Sequence, residues 1–98
     1  MVTEQNAVLA DMGTASWSAE DGTAYEVALE GISHVVGAYS GLIARAKKAG
    51  DIGRVAELAA AQGAWAARRK SLIPEDRAGV DTVTGESAQM LKQLRGAR

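Results

Sequence analysis

The sequence predicts an all-α fold, in which a long antiparallel helical hairpin is followed by a shorter C-terminal helix. Alanine, the residue with the highest helix propensity, occupies 20 of the 98 positions, and a single proline interrupts the chain. Larger apolar residues recur at alternating intervals of three and four, which places them on one stripe of a helix. This stripe consists of Tyr25, Ala28, Ile32, Val35, Tyr39, Leu42 and Ala46.

The chain is short enough to form one domain, residues 1–98. Residues 1–17 form either a short helix or an arm, because a brief apolar group ends at Gly13. Ser18 and Asp21 have the spacing of a capping box, so the first helix is predicted over residues 18–49. Its last turn is basic, as the helix dipole favours, and Gly50 follows as a helix-ending residue.

Asp51 is a suitable N-cap for a second helix, predicted over residues 51–72. Because the connection to the first helix is so short, the two helices should lie antiparallel and in contact. Pro74 ends the hairpin and opens a third helical segment, residues 74–96, which Gly85 and Gly96 weaken.

The charges are unevenly distributed along the sequence. Residues 1–44 contain six acidic and no basic residues, giving −6, whereas residues 45–98 contain 11 basic and six acidic residues, giving +5. Two interpretations remain open: the acidic helix packs against the basic one, or the basic part binds an acidic partner. Within the hairpin, the direction of the helices predicts ion pairs from Arg69 and Lys70 to Glu30.

The residues that usually support catalysis are scarce. The chain has one histidine, no cysteine and no glycine-rich phosphate loop, so we predict a protein that is not an enzyme and has no cofactor. Glu26, Glu30 and His34 are spaced i, i+4, i+8, but the heptad register places them on the outer face, so no metal site is predicted.

The sequence also bears on localisation. The longest run without a charged residue, Gly31–Ala44, is shorter than the ~20 apolar residues of a membrane span. The first residues carry acidic rather than basic side chains, unlike a signal peptide. We therefore expect a cytoplasmic protein, and the usage of Ala, Gly and Arg is typical of a bacterium with a high-GC genome or its phage.

The apolar stripe predicts self-association. Leu29, Val36 and Ile43 widen the stripe on one flank, and a hairpin alone covers only one side of it. A homodimer that forms a helical bundle would bury the remainder with one surface used twice. The predicted interface residues are Tyr25, Leu29, Ile32, Val36, Tyr39 and Ile43, together with Trp17. Such a protein would act as a small helical adaptor or regulator that also binds a second protein.

A nucleic-acid-associated regulator is the alternative. Arg68, Arg69 and Lys70 form the densest basic group, and Arg77 lies nearby in the sequence. The pI of about 5.8 is low for a nucleic-acid-binding domain. A protein-binding function is therefore the first prediction.

Overall fold

The computed structural model describes residues 18–97, and these residues form three α-helices without a strand. The all-α prediction is therefore confirmed. The helices are α1, Ala19–Lys48; α2, Ile52–Ser71; and α3, Arg77–Arg95. The predicted short helix or arm of residues 1–17, including Trp17, lies outside the described residues.

Helix α1 begins at a capping box. The Ser18 hydroxyl accepts a hydrogen bond from the Asp21 amide at 3.1 Å, and the Asp21 carboxylate accepts one from the Ser18 amide at 3.3 Å. Two amides that have no partner inside the helix are thereby satisfied. The helix ends before Gly50, whose φ of 75° lies in the left-handed region that glycine adopts without strain.

The other two helices each begin at an aspartate. The Asp51 carboxylate accepts a hydrogen bond from the Arg54 amide at 3.1 Å, and the Asp76 carboxylate accepts one from the Gly79 amide at 3.0 Å. Because Asp76 caps α3, this helix begins at Arg77, three residues after Pro74, and Pro74 and Glu75 lie in a turn.

Helices α2 and α3 both pack against α1. The Gln62 amide donates to the Val36 carbonyl at 2.9 Å, and Arg69 donates to the Leu29 carbonyl at 3.3 Å, so α2 runs back along α1. Helix α3 runs in the same direction as α1: its first residue, Arg77, contacts Asp21 near the start of α1. Farther along, the Tyr39 hydroxyl lies 3.8 Å from the Met90 sulfur.

The core consists of the apolar stripe of α1 and the residues of α2 and α3 that cover it. Its buried members from α1 are Ala28, Ile32, Val35, Tyr39, Leu42 and Ala46. The buried members from the rest of the described chain are Leu58, Trp65, Leu72, Val80 and Val83. Most of this stripe is therefore buried within one copy of the chain. The 3–4 spacing of apolar residues in the sequence therefore corresponds to the buried side of α1.

Helix α1 also contains an 18-residue window that is long and apolar enough to cross a membrane by length and composition. The central helix of a soluble domain has the same properties, because it too must present apolar side chains to its neighbours. The prediction of a cytoplasmic protein stays a prediction.

Candidate protein interface

The predicted interface residues fall into two groups. Ile32 and Tyr39 are buried, at 1% and 6% exposure, among the chain's own helices. Tyr25, Leu29, Val36 and Ile43 are half-buried and pack at the margins of the same core. A partner can therefore reach only the half-buried group while the three helices remain packed as they are.

Within residues 18–97, a different side of α1 is left without a neighbour. We call it the open face of α1: the exposed residues Thr23, Val27, Glu30, His34, Gly37, Gly41, Ala44 and Lys48. Their spacing alternates between four and three, so they form one stripe along the helix. Helices α2 and α3 occupy the other sides.

Two glycines of the open face have empty space beside them. A Cβ atom added at Gly37 or at Gly41 would meet no atom within 4 Å. In the interior of a helix each glycine costs about 1 kcal/mol relative to alanine. Nothing in the described part of the chain offsets this cost by approaching either glycine.

Gly31 has the opposite environment. A Cβ atom added there would lie 3.1 Å from the Ser87 Cβ and still closer to its hydroxyl oxygen. Ser87 is 2% exposed, and its hydroxyl donates to the Thr84 carbonyl at 3.0 Å. Gly31 thus lets α3 approach α1 closely.

The sequence pattern suggests that the glycines of α1 share one role, a close approach to a neighbouring helix. The structure separates them, because Gly31 faces α3 whereas Gly37 and Gly41 face outward. Ala24 and Ala38, which lie seven residues before and after Gly31, are half-buried. The sequence carries a signal for the open face in the 4–3 spacing of Glu30, His34, Gly37 and Gly41, but this face lacks the large apolar side chains by which a packed helix surface is predicted.

The charges of α1 are separated along its length. Its first half contains four acidic residues, Glu20, Asp21, Glu26 and Glu30, and its last turn contains three basic residues, Arg45, Lys47 and Lys48. Among the described residues, only Asp21 of this acidic set takes part in an ion pair. Helix α1 therefore carries an unneutralised acidic end and a basic end.

Asp21 connects the start of α1 to the start of α3. Its carboxylate accepts a hydrogen bond from the Arg77 guanidinium at 2.9 Å, and Arg77 also binds Asp81 at 3.0 Å. The hydrogen bond from Arg77, followed by that from the Ser18 amide, lowers the pKa of Asp21 below its ordinary value. Hydrogen bonds to Asp21 and then to Asp81 raise the pKa of Arg77. The pair stabilises the contact between α1 and α3 near their N-termini.

The candidate nucleic-acid contacts are mostly engaged within the chain. Arg68 forms an ion pair with Glu86, and its guanidinium lies 4.7 Å from the centre of the Trp65 ring. Arg69 donates to the Leu29 carbonyl and to the Ser33 hydroxyl.

The predicted ion pair from Arg69 to Glu30 is not formed, because these nearer acceptors take the guanidinium. Lys70 is exposed on the last turn of α2, and among the described residues it has no ion-pair partner.

A further feature of the chain is the placement of the residues that could ligate a metal. Within that range no three His, Cys, Asp or Glu side chains are grouped so that they could hold a metal ion. Glu26, Glu30 and His34 are all exposed. The hollows are surface grooves between helices, such as the one lined by Ile32, Ser33, Val36, Ala66 and Arg69.

Comparison of the chain with protein-family models, with curated protein sequences and with solved structures found no match.

Proposed function

We propose that this protein is a non-enzymatic protein–protein interaction module, a small helical adaptor or regulator that acts as a homo-oligomer. The observation that carries the proposal is the open face of α1, a long helix surface with small and apolar residues at its centre and no neighbour in the described chain. Small residues such as Gly37, Gly41 and Ala44 let a second helix approach this face closely. The protein binds itself first and a second protein in addition.

The proposed assembly is a dimeric helical bundle. The hairpin of α1 and α2, together with α3, forms each half, and α1 lies at the centre of the assembly. The described core of one chain has eleven buried apolar residues, and a domain this small buries a smaller fraction of its surface than a larger one, so additional burial between chains would add stability.

The contacts of the basic group favour protein binding over the nucleic-acid alternative. Arg68, Arg69 and Arg77 each bind an acceptor within the chain, which reduces the positive charge available for phosphates. The alternative predicts binding to a duplex of random sequence that weakens steeply as salt increases. We expect no such binding, even at low salt.

Sedimentation velocity tests the homo-oligomer directly. We expect the 10.2 kDa chain to sediment as a monomer at low micromolar concentration and increasingly as a dimer at high micromolar concentration. The melting temperature should rise with concentration over the same range, because association stabilises the folded state. A monomer at every concentration, with a constant melting temperature, would refute self-association.

A further inference from the structure

The open face of α1 has three properties that the packing of residues 18–97 does not explain. Gly37 and Gly41, near its centre, have open space beside them. Glu30 and Lys48 carry opposite charges toward its two ends, and the apolar side chain of Val27 is 46% exposed. We propose that this face pairs antiparallel with the same face of a second copy, around a two-fold axis level with residue 39. The proposal rests on the homo-oligomer proposed above and specifies its interface.

The register follows from the position of the glycines. Gly37 lies two residues before the proposed axis and Gly41 lies two residues after it. Gly37 of each copy therefore faces Gly41 of the other copy. Without side chains at these positions, the two α1 backbones can approach more closely than helices that meet through large residues, whose axes lie 8–10 Å apart. Close approach would then offset the helix propensity that both glycines lose.

The same register pairs opposite charges. Glu30 lies nine residues before the axis and Lys48 nine residues after it, so Glu30 of each copy faces Lys48 of the other. Of the four acidic residues of α1, Glu30 alone lies level with the basic last turn of the partner, because the other three lie beyond the end of the partner's α1. A parallel pairing would instead place Glu30 against Glu30 and Lys48 against Lys48. Charge complementarity therefore favours a second copy and determines its direction.

The exposed apolar residues fit this direction as well. Val27 lies twelve residues before the axis, level with the turn that connects α1 and α2 in the second copy. Ile52, which is 82% exposed, is the first residue of α2 after that turn. The antiparallel dimer thus places the exposed Val27 of one copy near the turn that precedes the exposed Ile52 of the other copy.

Charge reversal tests the pairing without disturbing the core. Glu30→Lys should weaken dimerisation about tenfold, because two attractive pairs in each dimer become repulsive, and Lys48→Glu should do the same. An equimolar mixture of the two variants should associate as tightly as the original chain, because both pairs are restored in the heterodimer. Glu75→Lys, which makes the same change in net charge on an exposed turn, is the matched control and should leave dimerisation unchanged.

Cross-linking tests the register independently, since the chain contains no cysteine. His34 lies five residues before the axis and Ala44 five after it, so His34→Cys and Ala44→Cys chains should form a disulfide when mixed and oxidised. Each variant alone should remain largely uncross-linked, whereas a parallel dimer would cross-link Ala44→Cys with itself. Glu57→Cys, which places an exposed thiol on α2, is the control and should give no cross-link in either mixture.

The outcomes separate this interface from the broader proposal. A dimer that neither regains affinity in the charge-reversal mixture nor cross-links between positions 34 and 44 would overturn the interface and leave self-association standing. A chain that is monomeric throughout would overturn both, and the open face would then belong to a different protein or to a membrane surface. Circular dichroism of every variant should show the helical content of the original chain.

Discussion

Gly31→Ala and Gly37→Ala make the same chemical change on the same helix, and we expect only Gly37→Ala to stabilise the protein. Both replacements add one methyl group and improve helix propensity by about 1 kcal/mol. At Gly37 the methyl group enters open space, so the variant should gain most of that amount. At Gly31 it would meet the buried side chain of Ser87 on α3.

The cost at Gly31 comes from overpacking. An added Cβ would lie 3.1 Å from the Ser87 Cβ, closer than ordinary van der Waals contact, so α3 would have to move outward. Extra methyl groups in well-packed cores typically cost about 1–3 kcal/mol. After the gain in helix propensity, Gly31→Ala should be neutral to about 2 kcal/mol less stable, and the two variants should differ by about 1–3 kcal/mol.

Urea denaturation followed by circular dichroism measures both variants, at a protein concentration low enough to keep the chain monomeric. The double variant Gly31→Ala/Ser87→Gly removes the Ser87 side chain that the new methyl group meets. It should therefore be less destabilised than the sum of its two single changes. Equal stabilisation by Gly31→Ala and Gly37→Ala would refute the close contact between α1 and α3, and with it the assignment of different roles to these glycines.

Two further predictions concern the core and the cap of α1. Ile32→Asp places a carboxylate at a position that is 1% exposed and should cost several kcal/mol in urea denaturation, whereas His34→Ala on the open face should change stability by no more than about 0.5 kcal/mol. Because the pKa of Asp21 is lowered in the folded state, its stabilising effect is present above the pKa of the unfolded carboxyl group and is lost as the pH falls through the folded value. The melting temperature of the original chain should therefore exceed that of Asp21→Asn at neutral pH and converge with it in acid. Similar melting of Ile32→Asp and His34→Ala, or a difference for Asp21→Asn that persists at low pH, would contradict these assignments.

The helical nature of the chain and the buried stripe of α1 were predictable from the sequence, because both depend on local rules. Ser18 with Asp21 marks the start of α1, and Gly50 with Asp51 marks the boundary between α1 and α2. The 3–4 spacing places Ile32 and Tyr39 on a stripe that has to be buried, although it does not distinguish burial within one chain from burial between two, and both residues are buried within the chain. These signals lie within a few residues of the feature that they determine.

The packing of α3 was harder to predict, because it depends on contacts between distant residues. Helix α3 has few large apolar side chains, which made it a poor candidate to cover the stripe of α1. The structure shows how small residues suffice: Gly31 and Ser87 allow a close approach, and Val80 and Val83 then become buried. The contact between Gly31 and Ser87, which are 56 positions apart, has no signature in the sequence of either helix alone. The sequence therefore does not show that α3 covers the stripe, and it predicts a second copy of the chain in that place.

The two outward glycines of α1 provide a direct test of the proposed dimer. Together Gly37 and Gly41 forgo about 2 kcal/mol of helix stability, a large part of the 5–15 kcal/mol that typical domains possess. Within residues 18–97 no packing contact offsets this loss, because no atom outside the local helix backbone would lie within 4 Å of a Cβ at either position. A second α1 helix on the open face would convert the same two positions into a site of close backbone contact. Gly41→Ala therefore distinguishes the two situations: it should stabilise the isolated chain in urea denaturation and at the same time weaken dimerisation in sedimentation. Stabilisation without any loss of dimerisation would mean that the dimer interface does not include the open face of α1.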